Sequence, residues 1–178
     1  MPSDKMLVLA VLGGEKPAFG DLYDRYAPLV RAVCYDGTEN LADAQDLAQE
    51  AFMRAYEKLG HLRNPDVFGR WLVAIARMRC REWRRQRSRE RDRRIRAGNP
   101  GSVSDDPAND DRIERLRELI TRLPEKERLA LHTFYLQGAS SENARRIMGL
   151  SRSGLYRVLE RARERLGKLF VQEQEDIL

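Results

Sequence analysis

The sequence of 178 residues predicts an all-α fold of two small helical domains joined by a flexible linker, and three observations lead there. Apolar residues recur at three- and four-residue spacing in almost every segment with a clear period. No run alternates in the manner of a strand between turn residues. One stretch past the middle is too rich in Gly, Pro, Ser and Asp to pack a core. The length suits one ordinary domain or two small ones. With 42% hydrophobic and 34% charged residues, the composition is that of a folded, water-exposed chain and not a disordered one.

Pro17 suits a first helical turn, and Phe19, Leu22, Tyr23, Tyr26, Leu29, Val30 and Val33 continue a helix expected to end before Asp36-Gly37. A second stripe, Leu41, Ala44, Leu47, Ala48, Ala51, Phe52, Ala55, Tyr56 and Leu59, stops at Gly60 and carries its acids on the other faces. After the loop His61 to Pro65, the residues Val67, Phe68, Trp71, Leu72, Ile75, Ala76 and Met78 mark a third helix that runs into an arginine tract. Residues 97–111 read as the linker, which leaves domains at 1–96 and 112–178. Beyond it, Ile113, Leu116, Leu119, Ile120 and Leu123 mark a helix closed by Pro124. Leu129, Leu131, Phe134, Tyr135 and Leu136 mark another, ended by Gly138. The final portion reads as two helices joined by Gly149-Leu150-Ser151, with Ser151 as N-cap of the second, which is the frame of a helix-turn-helix.

Net charge is +5 with a pI near 9.5, a modest excess that becomes informative through its distribution. Between Asp36 and Glu57 six carboxylates (Asp36, Glu39, Asp43, Asp46, Glu50 and Glu57) stand against one base, Arg54. From Arg77 to Arg96 eleven arginines stand against Glu82, Glu90 and Asp92. The first stretch repels phosphate and the second attracts it.

Cys34 and Cys80 are far apart in sequence, with no Cys-x-x-Cys or Cys/His cluster. They read as small apolar side chains and not as a disulfide framework or zinc site. Lys5 precedes an apolar run from Met6 to Leu12, but Gly13, Gly14 and Glu15 end it far short of the roughly 20 residues that span a bilayer. No membrane insertion is expected, and the cytoplasm is the default location. Two histidines, no phosphate-binding glycine loop and no nucleophile–base spacing argue against an enzyme and imply no cofactor or metal.

Three motifs carry a family resemblance. Asp43-Ala-Gln-Asp-Leu-Ala-Gln-Glu-Ala-Phe-Met-Arg-Ala-Tyr56 resembles the polymerase-docking helix of sigma factors, DAEDLVQEVFLR. Phe68-Gly-Arg-Trp-Leu-Val-Ala-Ile-Ala-Arg77 is similar to the FRxWLxxIARN stretch of their promoter-melting helix. Leu123-Pro-Glu-Lys-Glu-Arg-Leu-Ala-Leu-His-Thr-Phe-Tyr-Leu-Gln-Gly138 resembles the LPxxxRxVxxLxxxxG opening of their fourth domain. The motifs follow the family's order and spacing between about Met6 and Phe170. The short stretch between them lacks a third domain, which points to the extracytoplasmic-function (ECF) group of the sigma-70 family.

The resemblance implies a non-catalytic protein that binds bacterial core RNA polymerase and directs promoter recognition, DNA melting and transcription initiation. The implied partners are the β′ clamp helices and β flap of core polymerase, promoter DNA, and an anti-sigma factor that covers the same surfaces. Docking falls to Asp43, Gln45, Asp46, Gln49 and Glu50, with Phe52 and Arg54 adjoining. Minus-ten DNA falls to the loop His61 to Val67, where Arg63, Asn64 and Asp66 offer donors and acceptors to a flipped base, and to Arg77, Arg79, Arg81, Trp83, Arg84 and Arg85. The minus-thirty-five element falls to a helix from Ser151 to Arg165 in the major groove. There Arg152, Ser153, Tyr156 and Arg157 read bases, Arg161 and Arg163 hold phosphate, and Leu155, Leu159 and Leu166 pack inside. Here the chain departs from the family's EIAxxLGxSxGTVKSRLxRA. Arg145 replaces a small packing residue, Gly154 a threonine, and Tyr156-Arg157 a Lys-Ser pair, so the frame is implied but not the bases read.

Each set also has a plainer reading. The acids of the second helix suit a solvated amphipathic face, and Arg87 to Arg96 a solvated charge run. Trp71, in phase with Phe68, Leu72 and Ile75, suits a core, leaving Trp83 as the stacking candidate. The loop His61 to Val67 suits a simple Asn-Pro turn as well as it suits base capture. The rival function is a helix-turn-helix regulator that binds duplex DNA without docking on polymerase, which leaves Asp43 to Glu50 and the Trp-Arg helix idle.

Overall fold

The computed structural model describes residues 2–96, 111–136 and 140–175. The expected linker lies outside the described residues up to Asp110, as does Gly138. Among the described residues every regular element is a helix, so the all-α expectation is met. The chain divides into two compact units, Met1–Pro107 and Ala108–Leu178.

The first unit holds α1 (Asp4–Leu12), α2 (Pro17–Thr38), α3 (Leu41–Glu57) and α4 (Phe68–Arg96), with 3-10 turns at Leu59–His61 and Pro65–Val67. The apolar run after Lys5 is thus the body of a helix, started by Ser3, whose hydroxyl accepts the Met6 N–H at 3.2 Å. Asp4, only 6% exposed, pins this helix down by accepting from the Tyr26 hydroxyl at 2.6 Å and from Arg25. The core between the helices is filled by Leu22, Leu29, Val30, Ala51, Ala55, Leu59, Phe68, Leu72 and Ala76. The Leu, Val and Phe side chains among them each contribute about 1.5–3 kcal/mol relative to exposure.

α2 overruns its expected stop at Asp36-Gly37 and continues through Thr38. Gly37 serves packing: a Cβ built on it would lie 2.8 Å from Cys80 Cβ, so only glycine lets α2 and α4 approach this closely. The chain leaves α2 at Glu39, which takes the left-handed conformation with φ 54°. Asn40 then caps α3 by accepting the Asp43 N–H at 2.9 Å.

The second unit holds α5 (Asp111–Thr121), α6 (Glu125–Tyr135), α7 (Ser141–Met148) and α8 (Arg152–Glu175). Leu123, Ala130, Leu131, Ala144, Leu155, Val158, Leu159 and Ala162 form its core, with Phe134 and Leu166 packed against it. Gly149, at φ 66°, ends α7, and the Leu150 N–H returns to the Arg145 carbonyl at 3.1 Å. Ser151 caps α8 by accepting the Gly154 N–H at 3.1 Å, as the sequence implied. α8 extends well past Arg165, to Glu175.

Candidate functional site

The outer face of α3 gathers most of the expected docking residues. Ala44, Leu47, Ala48, Ala51 and Ala55 are buried, while Gln45, Asp46, Gln49, Glu50 and Arg54 are exposed and Asp43 is partly so. Phe52 is a correction: it is 4% exposed and stacks on Tyr23, with ring centres 4.6 Å apart, because position 52 falls on the side of α3 that meets α2. It packs the core from there. Met53 takes its place on the outer face, 64% exposed, four residues after Gln49 and seven after Asp46. That spacing was a signal the motif match passed over, and a flexible thioether suits a docking surface.

α4 sorts its arginines by side. Arg70, Arg81, Arg84 and Arg85 are exposed and Arg77 is partly buried; the spacing from 70 to 77, 81 and 84 keeps them on one face. Arg70 belongs to this row although it was not among the expected residues. Arg79 turns the other way. Its Nε donates to Glu50 at 3.1 Å and its Nη2 also reaches Glu50, while Nη1 takes Glu82 at 2.5 Å. Glu50 holds the guanidinium charged and pushes its pKa above the usual arginine value. Farther along, Arg87 pairs with Asp43 at 3.3 Å and lies over the Trp83 ring at 5.1 Å. Two acids of the expected docking face therefore already bind two arginines of α4. Trp83 is half-buried, and Trp71, also half-buried, leans on Phe68 at 6.1 Å between ring centres.

Arg63, Asn64 and Asp66 are all exposed on the loop between α3 and α4. Asn64 accepts the Asp66 N–H at 3.0 Å, capping the 3-10 turn, so its carbonyl is committed to the turn. Asp66 lies 4.0 Å from Lys5 of α1.

On α8 the residues Arg152, Ser153, Tyr156, Arg157, Arg161 and Arg163 are exposed opposite the buried Leu155, Val158, Leu159 and Ala162. Glu160 and Glu164 share that exposed side and repel phosphate, which leaves the first turns of α8 as its electropositive end, reinforced by the helix N-terminus. Arg163 is drawn aside to α6, where it donates to the Tyr135 hydroxyl at 2.8 Å. Arg145, in place of a small residue, is accommodated half-buried on α7.

Comparison with known proteins decides what carries these surfaces. The chain is 30% identical over 175 residues to the ECF RNA polymerase sigma-E factor of Escherichia coli K12, a match that covers 89% of this chain and 91% of that one. The chain belongs to the ECF RNA polymerase sigma factors. The Sigma-70 region 2 family matches this sigma factor at residues 22–90, from α2 into the arginine tract of α4. It is also 28% identical over 158 residues to the probable RNA polymerase sigma factor RfaY of Xanthomonas campestris, with 84% of this chain and only 40% of that one covered.

Two solved structures share the fold of this sigma factor. One is CnrH in complex with the cytosolic domain of CnrY, with a TM-score of 0.66 at 22% identity over 96% of this chain and 99% of the other. The second is the sigma factor RpoE in complex with the anti-sigma factor NepR from Bartonella quintana, with a TM-score of 0.56 at 24% identity over 86% and 97%. Among the described residues no helix is long and apolar enough to cross a membrane.

Proposed function

We propose that this ECF sigma factor binds core RNA polymerase and directs it to promoters, with three surfaces dividing the work. The outer face of α3, with Asp43, Gln45, Asp46, Gln49, Glu50, Met53 and Arg54, docks on the β′ clamp helices. The α4 row of Arg70, Arg77, Arg81, Arg84 and Arg85, with Trp83 and the loop residues Arg63, Asn64 and Asp66, holds the melted minus-ten strand. The first turns of α8 read the minus-thirty-five element through Arg152, Ser153, Tyr156 and Arg157, while Arg161 and Arg163 hold phosphate and the second unit rests on the β flap. The protein works in the cytoplasm and is held by an anti-sigma factor until needed.

The observation that carries this reading is the segregation of charge across one small unit. An acid-and-methionine face on α3 stands beside an arginine row on α4, in a chain whose sequence follows an ECF sigma factor nearly end to end. The mechanism needs no catalytic group. Phosphate contacts displace condensed counterions, and single-strand stacking contacts, on the order of 1 to 3 kcal/mol per base, offset the few kcal/mol that unstacking requires. A helix-turn-helix regulator acting alone has no use for the first unit. Run-off transcription with purified core polymerase on a genomic DNA library tests the proposal: discrete, chain-dependent transcripts support it, and none with active core enzyme contradict it.

A further inference from the structure

Cys34 and Cys80 are separated by most of the first unit in sequence, yet α2 and α4 bring them together in its core. Both are buried, at 0% and 3% exposure. Cys80 Sγ lies 4.0 Å from the Val33 carbonyl and within 3.0 Å of where a Gly37 Cβ would stand, so it rests on the patch of α2 that Cys34 occupies. The two thiols stand close enough that each shifts the other's pKa. From this geometry we propose that Cys34 and Cys80 form a dithiol–disulfide modification site whose co-reactant is a small hydroperoxide.

The environment assigns different roles to the two sulfurs. The neighbouring Cys34 brings the Cys80 pKa down, and Arg84 adds to this against the opposing effect of burial. The neighbouring Cys80, together with burial, pushes Cys34 up and keeps its proton. Arg84, one turn along α4 from Cys80, favours a thiolate there, so Cys80 takes the attacking role and Cys34 the resolving one.

In the first step the Cys80 sulfur attacks the terminal peroxide oxygen. An S–O bond forms, the O–O bond breaks and the alkoxide, or hydroxide from hydrogen peroxide, departs as alcohol or water by taking up the proton that the Cys80 thiol gave up. In the second step Cys34 attacks the Cys80 sulfur. An S–S bond forms, the S–O bond breaks and the hydroxide leaves as water with the Cys34 proton. Two thiols and one hydroperoxide become one disulfide, one alcohol and one water, with two electrons passing from sulfur to oxygen. Reversible pairs of this kind are the form that disulfides take in reducing compartments. Burial makes reaction depend on local opening between α2 and α4, which favours a small oxidant.

The test uses the full-length chain, reduced and then titrated with hydrogen peroxide, quenched by alkylation and mapped by mass spectrometry. The expected result is paired loss of both thiols, a mass lower by two hydrogens, one cross-linked peptide joining Cys34 and Cys80, and full recovery with dithiothreitol. In Cys34→Ala the reaction should stop at a Cys80 sulfenic acid that dimedone captures. Because the wild-type map needs no variant, misfolding of Cys34→Ala leaves the test intact. Thiols lost singly to sulfinic acids, disulfides formed between chains, or oxidation only after denaturation would each overturn the proposal.

Discussion

Arg79 of α4 reaches across to Glu50 of α3 with two of its nitrogens and keeps the third on Glu82, so one guanidinium joins the acidic face to the basic helix. Arg79 and Glu50 are 33% and 47% exposed, and solvent screens them. Breaking this pair by Glu50→Gln should cost only about 0.2–1 kcal/mol, read by urea unfolding of the wild type and variant. A double-mutant cycle with Arg79→Ala should return a coupling within the same range.

Two glycines in the first unit should respond in opposite ways. A Cβ on Gly69 would lie 2.6 Å from the Tyr26 hydroxyl, whereas one on Gly20 of α2 meets nothing within 4 Å. Gly69→Ala should destabilise by about 1–3 kcal/mol through overpacking. Gly20→Ala should stabilise by about 0.5–1 kcal/mol by restricting the unfolded chain and favouring helix. Thermal melts of both variants check the contrast.

Much of this was legible in the sequence, and the exceptions share a physical reason. Spacing alone located α3, α4 and the Gly149–Ser151 turn, because apolar periodicity and capping are local. Asp36-Gly37 looked like a stop since nothing local announces that Gly37 makes room for Cys80. The reason for that glycine lies more than forty residues away. Phe52 sat inside a docking motif but packs on Tyr23, and Arg79 sat inside an arginine tract but faces Glu50. In each case the side of the helix, decided by what packs against it, overrode the residue type. The short α1 lacked a long apolar period and is held by the Asp4–Tyr26 hydrogen bond, which no spacing reveals.

The turn before α8 hangs on Ser151, whose hydroxyl accepts the Gly154 N–H. Ser151→Ala should lower the stability of the second unit by about 1 kcal/mol, as loss of an N-cap does. Denaturant melts followed by circular dichroism should show the change, and minus-thirty-five affinity should fall with it.

Arg157 and Arg161 are both exposed on α8 but should fail differently. Arg157→Ala should relax preference at one base pair of the minus-thirty-five element by about 1–3 kcal/mol. Arg161→Ala should weaken binding to all sequences alike and flatten the salt dependence by about one phosphate contact. Competition binding across a set of single-base promoter variants, at two salt concentrations, separates the two outcomes.

Equilibrium titration of core RNA polymerase with the fluorescently labelled chain, wild type against Asp46→Arg, tests the docking role most directly. Asp46 is exposed in the middle of the outer face of α3, so the charge reversal should leave the free energy of unfolding within about 0.5 kcal/mol of wild type. Core polymerase binding should weaken at least tenfold, about 1.4 kcal/mol. Binding of Asp46→Arg as tight as wild type, or no binding of wild type to active core enzyme, would contradict it.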